Sequence, residues 1–111
     1  LFIERPWGGY KILHSKPDVT VKILKINPGQ RLSIQKHALR SEVWYATTPG
    51  IVALVGDKSV SLEIGEPVFV DVGVVHRLVN GSLSVGYVVE LLYGTYDEDD
   101  IERIEDDYGR D

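Results

Sequence analysis

The sequence predicts an all-β sandwich or barrel, a single domain over residues 1–111 closed by a short C-terminal helix. Three observations predict it. Most segments alternate in the strand manner or run through β-branched side chains. Gly, Pro, Asn or Asp separates one segment from the next. A chain of 111 residues, 43% hydrophobic and 26% charged, has a folded domain's balance and room for one core.

The strands follow in order. Residues 19–26 (Val-Thr-Val-Lys-Ile-Leu-Lys-Ile) form a strand that Asn27-Pro28-Gly29 ends. Residues 32–37 form the next, and 42–47 a third that stops at Pro49-Gly50. Residues 51–55 and 59–64 flank Gly56-Asp57-Lys58, a hairpin signal. Residues 67–72 and 76–79 follow, and 85–93 is long and apolar. Seven or eight short strands with turn signals between them make a sandwich or barrel. Only the last segment reads as helix: Ile101, Ile104 and Tyr108 stand at i, i+3 and i+7, and Asp99 and Asp100 suit a helix N-terminus.

Composition excludes several classes. There is no cysteine, hence no disulfide framework, thiolate zinc site or thiol nucleophile, and a reducing, cytoplasmic setting is expected. No apolar run suits a membrane span, and no signal-peptide pattern opens the chain. The chain begins at Leu1 and has no Met, so a start is expected upstream. The net charge of −5 is unevenly spread. Residues 97–111 hold nine acids and two bases, whereas residues 1–96 hold eight acids and ten bases. The body is mildly basic and can accept an anionic small molecule. It has no basic stripe, so nucleic acid is not an expected partner.

Two of the three histidines sit inside spaced sets of ligand-type residues. His14 stands alone and reads as a surface residue. Around His37 the order is Gly29, Gln35, His37, Glu42, Gly50; around His76 it is Gly65, Asp71, Gly73, His76, Asn80. Gln35 and His37 are two apart on an expected strand and so share a face. Glu42 can return to that face after a short bend, and His76 arrives from a distant hairpin. Two imidazoles, a carboxylate and an amide oxygen make a mixed N/O site for one divalent ion, Zn first, with Mn, Co, Fe or Ni as alternatives.

The two spacings resemble the two motifs of the cupin superfamily, with Gln35 where a histidine is usual and Asp71 where a proline is usual. The remaining landmarks are narrower. Glu4-Arg5-Pro6-Trp7-Gly8-Gly9-Tyr10, Leu32-Ser33-Ile34-Gln35-Lys36-His37, Arg40-Ser41-Glu42-Val43-Trp44, His76-Arg77-Leu78-Val79-Asn80 and Asp107-Tyr108-Gly109-Arg110 resemble the blocks of type II mannose-6-phosphate isomerases. That domain also forms the C-terminal part of bifunctional mannose-1-phosphate guanylyltransferase/isomerases. The likeness runs from Glu4 to Arg110.

The resemblance implies a cupin jelly roll that interconverts mannose 6-phosphate and fructose 6-phosphate through an enediolate, with a sugar phosphate as partner and a homodimer as default assembly. It places the metal ligands on Gln35, His37, Glu42 and His76. Arg40 is the first candidate to hold the phosphate or polarise the carbonyl, and Lys36 the second. Lys36 and Arg77 alternate away from the ligands and are expected to point outward. Glu90, an acid within an apolar final strand, is the candidate base; the alternative is an ion pair with a neighbouring Arg or Lys. Trp7, Trp44 and the tyrosines are assigned to core or dimer contacts.

The sequence departs from the pattern at Leu39 and Val43, where the family has histidines, and at Leu92, where it has glutamine. These changes leave a second reading, a metal-binding cupin of the same lineage that binds a sugar or other small ligand without isomerising mannose 6-phosphate.

Overall fold

Strand-forming segments separated by turn residues have only one way to bury their apolar faces at this length, which is against each other. The computed structural model describes residues 1–110 and has eleven strands among them. They are β1 (Ile3–Arg5), β2 (Gly8–Lys16), β3 (Val19–Ile26), β4 (Ile34–Lys36), β5 (Arg40–Ala46) and β6 (Ile51–Val55). β7 (Lys58–Ser61), β8 (Val68–Val70), β9 (His76–Asn80), β10 (Gly86–Gly94) and β11 (Glu102–Glu105) complete them. One sheet has the order β1-β2-β3-β10-β5-β8 and the other β11-β4-β9-β6-β7. Every strand pairing is antiparallel.

All eight expected strands are present. The 19–26 and 51–55 segments match β3 and β6 end to end. Residues 32–37 shrink to β4, and Arg31 keeps only an isolated bridge to Val79. β1 and β2 were not anticipated. β2 lacks alternation because only its first three residues are buried, while the rest lies open on one side and satisfies its backbone on β3. His14 lies on this exposed half.

The C-terminal helix is a strand instead. β11 pairs with β4, with Glu102 opposite Lys36 and Arg103 opposite Gln35. β4 would otherwise be a bare edge with unpaired N–H and C=O groups, and β11 covers it. The supposed apolar stripe divides accordingly: Ile101 lines the interior, whereas Ile104 is exposed. The tail leaves β10 at Gly94, whose φ of +115° and position against β5 demand glycine; a Cβ there would lie 2.4 Å from the Leu39 carbonyl oxygen.

The space between the sheets has an apolar end and a polar end. Leu24, Ile26, Ala46, Ile51, Ala53, Leu78 and Val88 fill the first. Each large side chain buried there contributes about 1.5–3 kcal/mol. Asn80 is wholly buried nearby and fully used. It donates to the Ile26 carbonyl at 2.9 Å and the Ser84 carbonyl at 2.8 Å, and accepts the Ser82 N–H at 3.0 Å. The inward positions of β5 grade from Arg40 and Glu42 through Trp44 to Ala46, so one strand builds both ends. Among the described residues no helix is long and apolar enough to cross a membrane.

Candidate metal centre and active site

The polar end encloses a cavity of ≈ 120 Å³. Two sheets supply its walls. Gln35 and His76 come from neighbouring strands of one sheet and face each other in register. Lys22, Arg40, Glu42, Trp44 and Glu90 come from the other. His37 follows β4 directly and is held by the tail: Asp100 accepts from the Ala38 and Leu39 N–H groups, each at 2.9 Å.

His37, Glu42 and His76 are buried, and their ligand atoms lie within 4.8 Å of one another. His37 Nε2 is 3.3 Å from one Glu42 oxygen, and His76 Nε2 is 3.5 Å from the other. Both Nδ1 atoms face main-chain carbonyls, that of Asp100 at 2.6 Å and that of Val74 at 2.9 Å. A carbonyl accepts only, so each Nδ1 carries its proton and each Nε2 turns a lone pair inward. This is the tautomer a metal ligand needs, fixed from outside by the second ring nitrogen.

Burial, then the Arg40 guanidinium, pushes the His37 pKa down to about 4. Burial likewise lowers that of His76. Burial, then the charge of Glu90, holds the Glu42 carboxyl well above the usual carboxylate range. Glu42 Oε2 is buried with no hydrogen-bond partner. Buried oxygens are rarely left so. A divalent cation satisfies it and the two lone pairs together, so these residues fit a metal ion. Gln35 lines the same cavity and offers an amide oxygen.

Arg40 is committed to the cluster. Its Nε donates to Glu42 at 3.3 Å, Nη1 donates to the Asp97 carbonyl at 3.3 Å, and Nη2 lies 3.2 Å from His37 Nε2. Glu90 is buried and accepts the Trp44 indole N–H at 2.8 Å, which accounts for that carboxylate without an ion pair. Trp44 also stands edge-on to His76, at 5.5 Å between ring centroids. Trp7, Trp44 and Tyr10 line the cavity as well as the core, and Tyr96 lines the cavity alone, beyond the core or dimer role expected of them.

Lys36 is not brought to this cavity. It points away and lies 3.8 Å from Glu102 of β11. Arg77 also avoids the cavity but does not reach solvent: it is buried, donates to the Leu32 carbonyl at 2.8 Å and approaches Asp107 at 3.7 Å. Leu39 is exposed, and Val43 is buried on the opposite face of β5; neither lines the cavity. Leu92 packs in the interior without lining it.

Sequence reasoning missed Lys22, Tyr10, Tyr96, Glu98 and Arg103, all on the cavity wall. The signal for Lys22 was parity with Leu24 and Ile26, two and four residues on. Val19, Val21 and Ile23 on the other parity masked it.

Comparison with known proteins agrees with this geometry. The family model described as mannose-6-phosphate isomerase C-terminal matches residues 2–106. The alginate biosynthesis protein AlgA of Pseudomonas aeruginosa is 36% identical over 109 residues, 97% of this chain and 23% of AlgA. A mannose-1-phosphate guanylyltransferase of Sinorhizobium fredii is 34% identical over 104 residues, 93% of this chain and 20% of that protein. The chain thus spans less than a quarter of the length of these curated relatives. In fold it is similar to the capsular polysaccharide assembling protein CapF of Staphylococcus aureus. The TM-score is 0.82 at 18% identity, over 95% of this chain and 34% of CapF. A Klebsiella pneumoniae protein with a double-stranded β-helix domain aligns at TM-score 0.73 and 17% identity, over 85% of this chain and 81% of that one.

Proposed function

The chain belongs to the mannose-6-phosphate isomerase C-terminal family, a cupin-type domain, and from that premise we propose that it is a metal-dependent aldose–ketose isomerase acting on mannose 6-phosphate and fructose 6-phosphate. The observation that carries this reading is the Glu42 carboxylate, with one oxygen buried without a hydrogen-bond partner 3.5 Å from His76 Nε2 and the other 3.3 Å from His37 Nε2, in a cavity that also holds Glu90.

His37, Glu42 and His76 would hold the ion, with Gln35 as fourth ligand. A divalent cation bound there supplies Lewis-acid stabilisation to negative charge developing on the sugar oxygens. The protein supplies the rest. Glu90 carries a proton between C2 and C1, and the Trp44 indole fixes the direction of its carboxylate. Arg40, anchored on Glu42 and the Asp97 carbonyl, sets a guanidinium beside the reacting oxygens.

The replacements at Leu39 and Val43 support this reading over a non-isomerising one, because both lie off the cavity wall. Turnover of mannose 6-phosphate in a coupled assay decides between the two. Activity lost to EDTA and restored by Zn, Mn or Co is the expected result. Folded, metal-loaded protein without turnover would establish the second reading. The reading includes a homodimer: β8 is a free sheet edge that exposes Phe69, and sedimentation velocity measures the assembly.

A further inference from the structure

Lys22 is unusual among the buried cations of this protein. Its side chain faces the cavity from β3 and only 7% of the residue is exposed. Arg40 and Arg77 each spend donors on a carboxylate or a carbonyl. Lys22 has neither a hydrogen bond nor a carboxylate within ion-pair distance among the described residues. It is held instead between two aromatic faces, with Nζ 4.3 Å from the Tyr10 ring centroid and 4.2 Å from that of Tyr96. Glu98 pins both rings: the Tyr10 hydroxyl donates to its carboxylate, and so does that of Tyr96 at 3.0 Å. Both rings thus share one acceptor, and the ammonium between them makes no hydrogen bond among the described residues.

A second cation, on the opposite wall of the cavity, also has an unspent donor. Arg103 lines the cavity from β11, in the opposite sheet, and its Nε is buried without a partner. A buried donor left unpaired costs about 1–3 kcal/mol. A buried guanidinium nitrogen without a partner and an ammonium without a hydrogen bond, both lining one cavity, make a cationic site that lacks an acceptor.

We propose that Lys22, which stands opposite Glu90 in the sheet, and Arg103 form the subsite for the phosphate monoester of the ligand, in the same cavity as the metal cluster. This rests on the sugar-phosphate reading above. It moves the phosphate away from Lys36, which lies outside the cavity, and away from Arg40, which is anchored on Glu42, His37 and the Asp97 carbonyl through three of its five N–H donors. A dianion gives both cations the acceptor that the protein withholds. Burial pulls the Lys22 ammonium toward its neutral form, and the incoming charge reverses that pull. A guanidinium fork and a point-charge ammonium on opposite walls suit a tetrahedral dianion, whose several oxygens can accept from both sides.

The test is calorimetric titration of the metal-loaded chain with inorganic phosphate, mannose 6-phosphate and mannose. The parent is expected to bind both phosphates and to bind mannose far more weakly. Lys22→Met and Arg103→Gln are each expected to weaken both phosphates by about tenfold or more, with metal content and mannose binding unchanged. Lys22→Arg should recover part of the loss. Arg103→Gln lies on the peripheral strand and keeps the test standing should Lys22→Met fail to fold. Phosphate bound equally well by Arg103→Gln and by a folded Lys22→Met, or not bound by the parent, overturns the subsite. Absence of turnover alongside the expected binding pattern would remove the isomerase reading and leave the subsite intact.

Discussion

His76 offers its Nε2 lone pair to the cavity and does little for the apolar end of the core. His76→Ala is therefore expected to drop bound metal well below one ion per chain while the β fold survives. Elemental analysis reads the first and circular dichroism the second; unchanged metal overturns the ligand assignment. Trp44 tests the base. Trp44→Phe keeps most of the buried ring but removes the indole N–H, leaving a Glu90 oxygen buried without its donor. The expected cost is about 1–3 kcal/mol in urea unfolding, with reduced turnover and unchanged metal content. A variant as stable as the parent would mean that the hydrogen bond contributes nothing.

The tail beyond Gly94 governs the site more than its peripheral place in the chain suggests. Asp100 receives two N–H groups through its side chain and the His37 Nδ1–H through its carbonyl, so it orients a metal ligand without touching the metal. Asp100→Ala is expected to weaken metal affinity by about tenfold, within the range for outer-shell partners; equal affinity in a competition titration refutes this coupling. Further along, Asp106 accepts the Arg110 guanidinium at 2.8 and 3.0 Å. That hydrogen bonding, ahead of other causes, takes its pKa from 3.8 to about 2. A carboxylate with a depressed folded pKa stabilises above its unfolded value and loses that contribution as pH falls through the folded one. Asp106→Asn should thus lower stability by about 1–2 kcal/mol at pH 5 and change little near pH 2. Chemical denaturation at the two pH values measures the difference, and a deficit that persists at low pH would place the effect elsewhere.

At the scale of the molecule, the apolar end of the sandwich stabilises the fold and the polar end contains the chemistry. Metal binding then adds to stability only by mass action. At a free-ion concentration a hundred times the dissociation constant, the gain is about 2.7 kcal/mol. Scanning calorimetry should show this rise for the parent and its absence in His76→Ala. A parent indifferent to metal would mean that no ion binds the native state in preference to the unfolded chain.

Much of this architecture is legible in the residues alone. Alternation and turn chemistry place the eight central strands because each rests on local rules of period and backbone freedom. The spacing of His37, Glu42 and His76 announces a ligand set because those side chains have few other reasons to recur in that order. Three features are not local. β11 is a strand because β4 presents it with an unpaired edge, and its own apolar triplet reads equally well as a helix. Lys22 points inward with Leu24 and Ile26, but both faces of β3 carry apolar residues, and only the packing of two sheets chooses between them. Glu42 meets the histidines from across the barrel rather than along their own sheet, and that closure alone sets its two oxygens against their Nε2 atoms, one on each. Sequence by itself determined which elements and which donors exist; the tertiary structure decided which of them share an interior. Burial is a property of two surfaces brought together, and no single segment contains both.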